Sequence, residues 1–136
     1  MLGLVVFLAG GFVAFGSQPP NSTRFLMGSV IMAVAAALDF PGWRALSKTL
    51  LAYGYAARIP VAIVMFFAIQ GNWGTHYDAL SPLYKGSMEF WPKYAWIGLL
   101  PQLIMWVAYT IVVGALFGSG VAAIARREKP APQPAS

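Results

Sequence analysis

Cysteine is absent from this chain, and charge is nearly so. Without a thiol there are no disulfides, thiolate metal sites, cysteine nucleophiles or iron–sulfur clusters to consider. Charged residues make up 10% of the 136 positions, against about 25% in an average soluble domain. That is too little to cover a water-facing surface. A single histidine, His76, excludes bis-histidine haem ligation within one chain and leaves a zinc or iron site short of its usual ligands. No phosphate-cradling glycine loop, no G-x-S-x-G nucleophile turn and no convincing internal repeat is present. Nucleotide chemistry, that hydrolase class and inverted-repeat transport therefore lack their signatures. No carboxylate lies deep in an apolar run, Asp39 being at a boundary, which argues against proton-coupled export.

What is present is oil in blocks. Hydrophobic residues form 59% of the chain and cluster into runs, the mark of a polytopic membrane protein. The expected fold is an all-α membrane protein, a four-helix transmembrane bundle occupying residues 1–125 as a single domain. Spans are expected at about 2–16, 25–38, 46–70 and 93–125. The first two form a tight hairpin, and the first reads as a retained span rather than a signal peptide. It is short for a core of about 30 Å, so a re-entrant or interfacial helix would also fit. Gly10 and Gly11 permit close contact or a bend there, and "SQPPNSTR" breaks the run. The fourth run is too long for one vertical crossing, and Pro101 predicts a kink. Residues 71–92 read as an aromatic extracytoplasmic loop, and 126–136, rich in Pro and Ala, as a disordered cytoplasmic tail.

The net charge of +5 comes from basic residues flanking apolar runs, which orients a membrane protein and does not suggest nucleic acid. With the amino terminus inside, Arg44, Lys48, Arg126, Arg127 and Lys129 face the cytoplasm, while Arg24, Lys85 and Lys93 lie outside. Both termini are thus expected in the cytoplasm, in a bacterial cytoplasmic membrane.

Three groups of residues invite a functional reading. "GNWGTHYDALSP" holds His76 and Asp78, two apart, able to share a face on a strand or turn. They are the candidates for a small membrane enzyme or, shared across an oligomer, a metal-binding protein. The competing reading is an anchor or docking loop, because Trp73, Tyr77, Tyr84, Phe90, Trp91, Tyr94 and Trp96 crowd the same region and such rings prefer the headgroup level. Arg58, inside the third run, is costly in lipid and so a functional candidate. It would contact an anionic solute or lipid, or pair with Asp39 to lock spans two and three. Gly114 and Gly118, in "GALFGSG", form a G-x-x-x-G that favours helix association within or between chains. The sequence implies no cofactor and no catalytic or metal-ligand set. The leading expectation is a non-enzymatic accessory subunit, partnered by the bilayer and by other membrane subunits or itself as a homo-oligomer. An oligomeric channel or transporter using Arg58 is the alternative.

Overall fold

Lipid cannot hydrogen-bond a backbone, so an apolar run inside a membrane must satisfy its amides internally, which a helix does. A computed structural model describes residues 2–16, 21–80 and 88–127, and these are helical apart from short connections, with no strand among them. Three helices come first: α1 (Leu2–Phe15), α2 (Ser22–Asp39) and α3 (Arg44–Gly71). A continuous fourth rod follows, made of α4 (Phe90–Lys93), two π-helical segments (Tyr94–Leu99 and Pro101–Met105) and α5 (Trp106–Arg127). The stretches Ser22–Asp39, Arg44–Gly71 and Phe90–Ala125 are long and apolar enough to cross a membrane. α1, with 14 residues, is about 21 Å long at 1.5 Å per residue. The expected break at residues 17–20, the middle of the aromatic loop at 81–87 and the expected tail past Arg127 lie outside the described residues.

Helix ends follow local chemistry more than hydropathy. α2 begins three residues before its apolar run because the Asn21 side chain accepts the Arg24 amide at 3.1 Å, a side-chain cap for an otherwise orphaned donor. α3 ends at Asn72, whose backbone is left-handed at φ 47° and whose amide bonds the Ala68 carbonyl; asparagine tolerates that conformation better than most residues. Pro60 sits inside α3 without ending it. At Pro101, where a kink is expected, the rod adopts π-helical winding on both sides of Leu100.

Small residues set the packing. α1 and α2 form the expected hairpin, with Gly10 and Gly28 facing each other so closely that a Cβ on Gly28 would collide with the Gly10 carbonyl and with Ala14. Gly11, by contrast, faces open space. α5 is the central element and touches α1, α2 and α3. Its Val107, Ala108, Ile111 and Val112 meet Phe7, Met32, Ala35 and Ala36 in the core. Gly114 and Gly118 are spent within the chain: Leu50 and Leu46 of α3 fill the spaces where their side chains would be. α2 and α3 scarcely meet, leaving a groove of about 340 Å³ between them, floored by Leu103, Val107 and Ile111. The outer faces stay apolar; Phe12 and Phe117 are 72% and 70% exposed. Such surfaces fit an acyl-chain environment, not water.

Candidate functional site

The face of α3 turned to the fourth rod carries Gly54, Arg58, Ala62, Met65 and Ile69, at spacings of three and four that align on one side of a helix. All but Arg58 are buried and uncharged. Arg58 therefore interrupts a packing stripe of small and apolar residues. It stands at the midpoint of the 28-residue helix, with about 20 Å of helix on either side. Gly54 and Ala62, one turn away in each direction, leave room for its long side chain. Opposite it the fourth rod is π-helical, a winding frequent at functional sites, and Gln102 lies in the second π-helical segment.

Among the described residues the guanidinium meets only neutral groups. Arg58 Nη1 donates to Gln102 Oε1 at 3.5 Å, the outer limit of a hydrogen bond. Its Cζ lies 4.6 Å from the Trp106 ring centroid. Its Nε is buried with no hydrogen-bond partner. Gln102 is held from its other end by Met65, whose sulfur accepts from Nε2 at 3.7 Å. Trp106 is braced edge-on by Tyr109 at 5.6 Å, and Tyr109 by Phe7 at 6.0 Å. The described acidic residues are Asp39, Asp78 and Glu89, each at a helix end or in a connection. An arginine at the centre of a span costs about 3 kcal/mol on insertion scales. A cation–π contact returns about 0.5–2 kcal/mol. The remainder favours any anionic group that can reach Arg58.

The Asp39–Arg58 pair expected from the sequence is not formed. α3 starts only at Arg44, so Arg58 is about 21 Å up the axis from the end where Asp39 lies. The Asp39 carboxylate instead lies against Gly3, in the space where a Cβ would be. Gln102 and Trp106 take its place. Both lie more than forty residues along the chain from Arg58, and only the antiparallel register of α3 and the fourth rod brings them level.

His76 and Asp78 are not brought together as a working pair. His76 is exposed, its ring 6.3 Å from that of Tyr77. Asp78 is 4% exposed and faces its own loop. It accepts from the Gly74 amide at 2.9 Å, the Thr75 amide at 2.6 Å and the Thr75 hydroxyl at 3.0 Å. Desolvation pushes its carboxyl up, but these hydrogen bonds together outweigh it and hold the group below its ordinary value. Gly74, at φ 67°, supplies the turn that aims its amide inward. Among the described residues no group of three or more His, Cys, Asp or Glu could hold a metal ion. The aromatic residues of this end do converge, on a hub the loop sequence does not contain. Phe66 of α3 packs edge-on against Phe90 at 5.1 Å and Tyr94 at 5.4 Å. The Tyr94 hydroxyl also donates to the Ala62 carbonyl at 3.2 Å.

No family model, curated protein or solved structure matches the chain.

Proposed function

We propose that this chain is a four-span, non-enzymatic integral membrane subunit, and that Arg58 is the charge by which it engages a partner helix carrying a carboxylate. One observation supports the reading above the others: a guanidinium at mid-span whose described contacts are all neutral and whose Nε is buried and unpaired. Removing a charge from water without an opposite charge is strongly unfavourable, and a membrane-embedded carboxylate from a second polypeptide removes the cost. The proposal includes a cytoplasmic side for both termini in a bacterial-type membrane, supported by the basic residues at α3's start and α5's end.

The test is native mass spectrometry after extraction in a mild detergent. A complex heavier than the 14.6 kDa chain is expected, containing a second polypeptide, and is expected to be lost in Arg58→Met but kept in Arg58→Lys. A chain that runs alone in every case removes the proposal. Solute passage is less well supported, because Arg58 lines neither the groove between α2 and α3 nor the cavity beside Asp39. Arg58-dependent anion uptake into vesicles holding this chain alone would nevertheless replace the subunit reading.

A further inference from the structure

At the end of the bundle where α1 begins and α2 turns into α3 there is a cavity of about 440 Å³, unrelated to the Arg58 centre. Its polar lining is Asp39, Trp43, Ser47 and Ser119, set among apolar walls that include Leu4 and Leu116. The size is that of a small-molecule site, and the mix of apolar walls with a few converging polar groups is the usual composition of one.

Two of these groups are free to serve a ligand. Ser47 is 1% exposed. Three helical hydroxyls elsewhere return to the carbonyl four residues back: Ser29 to Phe25 at 2.8 Å, Thr49 to Ala45 at 3.1 Å, Thr110 to Trp106 at 2.8 Å. The Ser47 amide donates to the Trp43 carbonyl at 2.9 Å, while its hydroxyl makes no such bond among the described residues and lines the cavity. The carboxylate of half-buried Asp39 rests against Gly3 and has no hydrogen-bond or ion-pair partner among the described residues. Arg44 and Lys48 stand on the same turns of α3 but do not line the cavity.

We infer that this cavity binds an organic ammonium group, with Asp39 as its counter-charge, Trp43 as the ring over it, Ser47 as a hydroxyl acceptor and the apolar walls around its alkyl chain. A carboxylate selects a cation. A single carboxylate with two hydroxyls is too few oxygens for calcium or magnesium, whereas an alkylammonium uses the apolar walls as well, and indole rings favour such cations. The cavity lies at the level where α2 ends, so the ammonium comes either from a zwitterionic lipid headgroup or from a free amine.

The experiment uses the full chain purified in a maltoside detergent. Calorimetric titration with n-octylammonium chloride is expected to saturate, and with n-octanol, its neutral counterpart, to bind far more weakly. Asp39→Asn is expected to weaken octylammonium by about tenfold or more, the scale of one charge-assisted contact; Ser47→Ala weakens it less. Gly3→Ala, which pushes the carboxylate aside, weakens it without removing a charge. Circular dichroism melting accompanies each variant. Native mass spectra with phosphatidylethanolamine and phosphatidylglycerol separate the sources: Asp39-dependent retention of the first alone identifies a lipid headgroup, and octylammonium binding without that preference identifies a free amine. Equal affinity for octanol overturns the inference. So does an Asp39→Asn chain that melts lower yet binds octylammonium unchanged, since Asp39 would then serve only the start of α1.

Discussion

Arg58 and Asp78 show why a charged residue must be read by its partners and not by its neighbours in sequence. Asp78, beside the only histidine, is occupied by the amides and hydroxyl of its own loop, a shell that favours the ionised form. Because the folded-state pKa lies below the ordinary aspartate value of 3.8, its contribution to loop stability is complete above that value. It is lost as the pH falls through the lower folded-state pKa. The Gly74 and Thr75 amide proton shifts are therefore expected to follow a titration whose midpoint lies below the ordinary value of 3.8, and to differ from wild type at all pH values in Asp78→Ala. Arg58 has the opposite character, a charge in surplus. Arg58→Met removes it from an apolar stripe and is expected to raise the melting temperature of the isolated chain, by an amount corresponding to about 1–3 kcal/mol. The same change abolishes the partnered complex. A variant that is less stable alone would mean that Trp106 and Gln102 already satisfy the guanidinium.

Between elements, contact is governed by where side chains are missing. The G-x-x-x-G of α5 is legible in the sequence as an association motif, but not which helix it accepts. Leu46 and Leu50 settle that, lying one helical turn apart on α3 at the same spacing as Gly118 and Gly114. Gly114→Leu is expected to force Leu50 aside and lower stability by about 1–3 kcal/mol, the usual cost of overfilling a packed interface. It should leave the mass of any complex unchanged; a lost complex with unchanged melting would place the motif at an outer surface instead. The helices themselves were readable because long apolar runs leave few alternatives. Their ends were less so, since Asn21 and Asn72 act through backbone bonds that hydropathy does not see. The π-helical winding around Pro101 was not readable, nor was the Phe66 hub, because both depend on which turn of α3 lies opposite. The Arg58 site was half legible for the same reason: its charge stands out in the sequence, whereas Gln102 is an ordinary span glutamine until the register is known.

For the whole molecule, the open quantity is how many times it crosses the bilayer, and the packing of α1 supplies an argument. α1 alone is about 21 Å long, less than a hydrocarbon core of about 30 Å. Yet it lies along α2 from end to end: Phe15 meets Phe25 at 5.7 Å near one end, and Gly3 meets Asp39 at the other. Two helices paired over their full length share the same depth, so if α2 crosses, α1 crosses with it, and local thinning of the bilayer accommodates the deficit at modest cost. The absence of cysteine makes this directly measurable with single cysteines and a membrane-impermeant maleimide. Leu2→Cys and Gly42→Cys are expected to label from one side, and Gly16→Cys and Thr75→Cys from the other. If residues 2 and 16 label from the same side while 42 and 75 remain opposite, α1 lies along the membrane surface and the molecule crosses three times. The ammonium cavity would then border a surface helix, and Arg58 would remain at the centre of the helix that crosses beside it.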